Sequence, residues 1–156
     1  PHFRMQLIRG DVHDPAAAML GGIAGHAGLF SNAADLAKLY QMLLNGGEMK
    51  GRRYLNKETI DLFTSYGSRN SRRGLGFDKP EKDNNIRKDP YPTLSASPFT
   101  YGHTGFTGTC VWVDPAKQLI FIFLSNRVHP DGTNRKMIQM NVRGRIHELV
   151  YQALTN

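Results

Sequence analysis

The sequence predicts an α/β (α+β) fold, an antiparallel sheet flanked by helices, spanning residues 1–156. Three observations predict it. Tyr101 to Gly105, Thr109 to Val113 and Leu119 to Ser125 are strand-length apolar runs, the last two joined by the turn Asp114-Pro115-Ala116-Lys117, which is the pattern of an antiparallel meander in a region about 99–125. A helix from about Asn134 to Leu154 sets Ile138, Val142, Ile146, Leu149, Val150 and Ala153 on one stripe that must cover apolar surface. A further helix, about 32–45, carries Leu36, Leu39, Tyr40, Leu43 and Leu44 at helical spacing, with Asn32 as expected N-cap and Asn45-Gly46-Gly47 as stop.

The remaining elements follow in order. The opening to Gly10 has no clear period, and Asp11 to Pro15 reads as a loop into a short alanine-rich turn ending at Gly21-Gly22. Gly21, Gly22, Gly25 and Gly28 then mark a constrained loop, because glycine takes backbone conformations closed to other residues. Residues 48–55 around Gly51 read as a hairpin, and Lys57 to Thr64 as a short helix. From Gly67 to Pro98 the chain is a long polar loop with one short strand expected near Leu75-Gly76-Phe77; loops of that length are commonly functional.

Composition excludes several classes. The net charge of +7 raises the question of nucleic acid, yet Arg52-Arg53, Arg69 to Arg73 and Arg143 to Arg145 are dispersed, with no finger spacing or stacking pattern beside them, so no nucleic-acid partner is expected. The longest apolar run, Leu119 to Leu124, is far short of the roughly eighteen residues of a membrane span. The single cysteine, Cys110, allows no internal disulfide and no thiolate cluster; flanked by Val111 in a strand, it reads as a small buried hydrophobe. His13, Asp14 and His26 have no zinc-motif spacing, so no metal and no cofactor are expected, and a role in tying down the glycine-rich loop is favoured. His129 and His147 read as a surface loop residue and a helix-face residue, and Trp112 and Phe121 as core. Pro1 rather than methionine opens the sequence and no leader is visible, which leads to the expectation that the chain begins mid-protein.

The chemistry-bearing stretch is Tyr101-Gly102-His103-Thr104-Gly105-Phe106-Thr107-Gly108-Thr109. Glycines weaken a strand and signal a bulge or a close approach; a glycine-rich turn between two strands would also account for them. Gly102-His103-Thr104-Gly105 resembles the third active-site motif of the serine β-lactamases, penicillin-binding proteins and related esterases, which is Lys-Thr-Gly or, in the class C-like branch, often His-Thr-Gly. The glycine-rich passage Leu20 to Ser31 leading to Asp35-Leu36-Ala37, and Trp112-Val113-Asp114-Pro115 with Phe123-Leu124-Ser125-Asn126-Arg127, resemble further parts of that family in the same order. The wording at Val12-His13-Asp14-Pro15 and Ser125 to Val128 resembles domains fused behind a family-3 glycoside hydrolase in Bacteroidetes-type bacteria.

The resemblance implies a partial β-lactamase/transpeptidase-like fold whose N-terminal part is missing, and a serine acyl-enzyme mechanism in the parent acting on a peptidoglycan-like peptide, a β-lactam or an ester. It implies polar or cationic character at His103 beside the acyl carbonyl, an oxyanion-hole N–H from Phe106, and substrate contacts from Thr104, Gly105 and Thr107, with room for substrate left by the missing Cβ of Gly105. No serine in the chain is followed three residues on by lysine, so the first motif, Ser-x-x-Lys, is absent. Tyr54-Leu55-Asn56 and Tyr66-Gly67-Ser68 match the second motif in letters but follow the glycine-rich passage instead of preceding it. The isolated chain is therefore expected to be inactive, its partner being the upstream part of the same polypeptide. A dimer or swapped oligomer, and a periplasmic or exported parent, are further expectations. The competing class is a noncatalytic binding or scaffold domain beside a cell-wall glycosidase.

Overall fold

The computed structural model describes Arg4 and residues 6–154; residues 1–3 and 5 of the opening segment, and 155–156, lie outside the described residues. The chain forms two compact units, divided between Asn32 and Ala33.

In the N-terminal unit, α1 (Pro15–Met19) starts where Asp14 caps it: its carboxylate accepts the Ala17 N–H at 2.8 Å, and proline occupies the first helical position, where no donor is needed. The same oxygen lies 3.0 Å from His26 Nε2. Asp14 thus links the helix start to the glycine-rich loop, and the bond from Ala17, then that from His26, holds its carboxyl below the usual value. The Arg4 guanidinium donates to the carbonyls of Val12 and His13 at 2.6 and 2.7 Å. Leu20, Ile23, Leu29 and Phe30 are exposed.

The larger unit opens with α2 (Ala33–Leu44), which ends as Gly46 and Gly47 turn their N–H groups back onto Leu43 and Met42. Leu36, Tyr40, Leu43 and Leu44 are half-buried and Met42 is buried, while Leu39, assigned to the apolar face in the sequence, is 46% exposed. A tight hairpin of β1 (Glu48–Met49) and β2 (Arg52–Arg53) follows, then α3 (Lys57–Thr64).

The main sheet is β3 (Tyr101–Thr104), β4 (Cys110–Asp114) and β5 (Leu119–Phe123), antiparallel in that order. Gly102 pairs with Trp112, which pairs with Phe121; Thr104 pairs with Cys110, which pairs with Phe123. Strand alternation therefore gathers Cys110, Trp112 and Phe121 on one face, where Tyr91, Phe123 and Val150 complete a core cluster. Gly102 is needed there. A Cβ on it would overlap the Val111 carbonyl and come within 2.8 Å of the Trp112 ring.

The long loop departs from expectation at Leu75-Gly76-Phe77, which is not a strand. Gly74 N–H bonds the Phe77 carbonyl at 3.0 Å, closing a turn, and the bridge to the sheet comes one residue later, where Asp78 and Gly102 exchange bonds of 2.7 and 3.0 Å. Asp78 thereby caps the outer edge of β3. Farther along, the loop is tied down by Glu148, whose carboxylate accepts from Thr93 Oγ1, Ser95 N and Ser95 Oγ at 2.5, 3.0 and 2.6 Å.

The expected single helix 134–154 is two: α4 (Lys136–Gln139) and α5 (Val142–Leu154), interrupted where Asn141 takes a left-handed φ of 45°. The buried face also differs from the predicted stripe. Gly144, His147 and Tyr151 are buried, while Ile138, Ile146 and Leu149 are exposed. The physical reason is polar satisfaction inside the core: Tyr151 OH donates to Asp114 at 2.7 Å, and the Asp114 carboxylate also accepts from Ser97 Oγ, Ser97 N and Ala116 N at 2.6, 3.1 and 3.0 Å. His147, read as a helix-face residue, is 1% exposed and stacks on Phe121 with ring centroids 4.3 Å apart. Met140 lies just past α4 and is 57% exposed.

Candidate active site

The His-Thr-Gly stretch occupies the end of β3 and the turn into β4. Alternation sends His103 to the sheet face opposite Trp112. Its ring is exposed but oriented at both nitrogens: Nδ1 lies 2.8 Å from the Thr104 carbonyl and Nε2 lies 2.9 Å from Arg73 Nη1. A carbonyl can only accept and a guanidinium can only donate, so both contacts fit a neutral ring with its proton on Nδ1.

Arg73 comes from the long loop, where a charge cluster holds it. Asp78, 1% exposed, receives Arg72 Nε and Nη2 at 2.8 and 3.3 Å and Tyr91 OH at 2.7 Å, with Arg73 Nε at 3.5 Å. Burial works against its charge, but the bonds from Arg72 and Tyr91 outweigh it and keep the carboxyl below its usual value. The Tyr91 hydroxyl is pushed up to about 12, by burial first and by Asp78 second. Arg72 also reaches Glu81 at 2.9 Å and lies 4.3 Å from the centre of the Tyr91 ring. The cluster is a rigid, hydrogen-bonded support under the edge of β3.

Thr104 is half-buried on the other face, lining a cavity of about 50 Å³ with Tyr91, Trp112, Arg143 and His147. Gly105 opens the turn, and a Cβ there would collide with Thr109 Oγ1, so the glycine also lets the turn close on itself. Gly105 N–H bonds Thr109 O at 2.7 Å and Gly108 N–H bonds Gly105 O at 3.1 Å. Phe106 projects its ring outward, 69% exposed, with the Arg127 guanidinium 4.4 Å from the ring centre. Arg127 Nε donates to the Phe106 carbonyl at 2.7 Å, and Arg127 N–H to the Thr107 carbonyl at 2.8 Å. Arg143 Nη1 bonds the carbonyls of Gly105 and Thr109 at 3.2 and 2.9 Å.

The structure thus gathers His103, Thr104, Gly105, Phe106 and Thr107 at one end of β3, and adds Arg73 and Arg143, which the sequence presents as dispersed charge, and Arg127, which it presents as the end of the family-like stretch after the third strand. The signal that could have found two of them is position: Arg127 closes the stretch after β5, and Arg143 stands in the first turn of the helix that packs on the sheet. Cys110 is 2% exposed and burial drives its thiol up to about 11, so it is a poor nucleophile at neutral pH. Among the described residues no group of three or more His, Cys, Asp or Glu side chains could hold a metal ion, and no helix is long and apolar enough to cross a membrane.

The three-stranded antiparallel sheet thus carries His-Thr-Gly at the end of β3 and a braced glycine turn after it. The β-lactamase family profile matches residues 4–142, and the chain belongs to that family. It is 41% identical over 130 residues to a protein of Escherichia coli (strain K12) named "Putative D-alanyl-D-alanine carboxypeptidase", covering 83% of this chain and 29% of that protein. A protein of the same name from Salmonella enteritidis PT4 (strain P125109) is 38% identical over 138 residues, covering 88% of this chain and 31% of its own length. The chain therefore spans a little under a third of the relatives it matches.

Proposed function

We propose that this chain supplies the His-Thr-Gly wall, and one donor of the oxyanion hole, to a serine hydrolase that forms an acyl-enzyme on a D-alanyl peptide of peptidoglycan or on a β-lactam or small ester. The family membership and the names of the two relatives support the reaction class. The observation that carries the proposal is the braced turn after β3, whose carbonyls at Gly105 and Phe106 are both held by arginines. A turn fixed in this way has its donors oriented before any charge develops, which is what stabilising a tetrahedral oxyanion requires.

In this reading a serine hydroxyl from residues outside the 156 attacks the acyl carbonyl, and a lysine beside it takes the proton. As the carbonyl oxygen gains negative charge, the Phe106 N–H donates to it; one such donor is worth about 2.7–4 kcal/mol. His103, oriented by Arg73 and the Thr104 carbonyl, offers a fixed polar edge at the cleft. The Thr107 hydroxyl serves a substrate polar group, while Thr104, on the face opposite His103, contributes through the carbonyl that orients the His103 ring. The chain alone, with no Ser-x-x-Lys, turns nothing over.

Labelling with a fluorescent penicillin tests this. The full-length protein should take up one equivalent and the 156-residue chain none; a full-length protein that stays unlabelled by penicillin and by a fluorophosphonate would overturn the reading. The finer resemblance extends the proposal to a parent exported to the cell wall with a glycoside hydrolase on its N-terminal side. An upstream coding sequence without a glycosidase domain removes that part and leaves the acyl-transfer proposal standing.

A further inference from the structure

We infer that Arg143 is a positioning residue that aims the Phe106 N–H, the donor assigned above to the oxyanion hole; the inference rests on that reading. Among the described residues the cis peptide bonds are Tyr91-Pro92 and His129-Pro130, so the Gly105–Phe106 peptide is trans. In a planar trans peptide the N–H points opposite to the C=O. Whatever fixes the Gly105 carbonyl therefore fixes the Phe106 N–H in the reverse direction.

Two donors fix that carbonyl: Gly108 N–H at 3.1 Å, from within the turn, and Arg143 Nη1 at 3.2 Å, from α5. The same guanidinium nitrogen reaches the Thr109 carbonyl at 2.9 Å, so one cation clasps both arms of the turn from the side facing the helix. The next peptide plane is held independently, by Arg127 Nε on the Phe106 carbonyl. Bonds to a charged donor are about twice as strong as neutral ones, and the half-buried setting of Arg143 shields these from water. Without Arg143, the peptide plane behind Phe106 keeps one weak internal bond and is free to turn over at Gly105.

Placement of Arg143 is a tertiary result. The left-handed Asn141 separates α4 from α5 and starts α5 where its first turn faces the β3–β4 connection. Arg143 does not reach the cleft side of the turn through these bonds, so its effect on chemistry is through the direction of another residue's donor.

The test uses the full-length protein with Arg143→Met, which keeps the aliphatic stem, and Arg143→Lys, which keeps the charge on a single nitrogen. Hydrogen exchange by mass spectrometry on the peptide covering 105–109 reads the clamp, and the rate and half-saturation concentration of penicillin acylation read its consequence. The Met variant should exchange faster at 105–109, acylate roughly 10- to 100-fold more slowly at saturation with half-saturation changed less than about twofold, and regain rate in millimolar guanidinium; a donor lost outright costs about 100- to 1,000-fold. The Lys variant should fall between, and it carries the test if the Met variant does not fold by circular dichroism. Unchanged exchange at 105–109, or faster exchange with an unchanged acylation rate, overturns the inference. If the unmodified protein takes no label, the acyl-transfer reading fails on that ground alone, and with it the donor role, while the exchange measurement still decides whether Arg143 holds the turn.

Discussion

His147 makes the stability of this protein depend on pH between about 6.5 and 4. Its ring is 1% exposed, stacked on Phe121, and its Nδ1 is buried with no hydrogen-bond partner among the described residues. Burial lowers its pKa from 6.5 to about 4, although Asp114 on β4 and its helix neighbour Glu148 both favour the charged ring. The folded state therefore refuses a proton that the unfolded chain accepts. Stability is full above pH 6.5 and falls by about 1.4 kcal/mol per unit as pH drops toward 4. Between pH 7.0 and 4.5 the loss attributable to this one ring is about 2–3 kcal/mol, from the linkage relation applied to the two values. Asp78, Asp114 and Glu148 have pKa values held below the usual carboxylate range, and each also costs stability as it protonates, but only at lower pH. Urea unfolding midpoints across this range, at constant m-value, measure the effect. In His147→Phe, which keeps a ring against Phe121, most of the slope between pH 6.5 and 4.5 should vanish. An unchanged slope in the variant would refute the assignment.

Other outcomes follow from the same structure. Gly102→Ala should cost about 2–3 kcal/mol, because its Cβ enters the Val111 carbonyl and the Trp112 ring in a packed sheet; a melting temperature like that of the unmodified protein would contradict the pairing of Gly102 with Trp112. Asp78→Asn should cost about 1–3 kcal/mol by removing the buried acceptor of Arg72 and Tyr91, with Arg72 keeping Glu81. Its thermal melt should show that loss, and a variant as stable as the original would mean the cluster is solvated in solution. The chain alone presents Leu20, Ile23, Leu29 and Phe30 to solvent in its first unit, and apolar patches promote association. Light scattering of the 156-residue chain should find dimers or larger species at high concentration, and a clean monomer would remove that expectation.

Much of the fold is local and so legible in residue order. The helix at Leu36 to Leu44, the short helix at Lys57 and the meander of three strands each follow from periodicity and turn residues that act over a few positions. So does the candidate site stretch, because three glycines around His103 and Thr104 are anomalous for a strand whatever surrounds them. Where reading failed, a distant partner decided. The stripe predicted along residues 138–153 counted apolar letters, whereas the buried face is set by Tyr151 reaching Asp114 and His147 reaching Phe121. The strand expected at Leu75 yields to a turn because Asp78, not its apolar neighbours, meets Gly102 across the edge of the sheet.

The sequence by itself determined most of the elements, their order and the motif that resembles the family's, since these depend on spacing along the chain. Only the tertiary structure decided what orients that motif: Arg73 on His103, Arg127 on Phe106 and Arg143 on Gly105, at separations of 30, 21 and 38 residues. A guanidinium on a flexible stem has the same letter whether it is solvated or clasping a carbonyl, and folding alone brings it within reach of one.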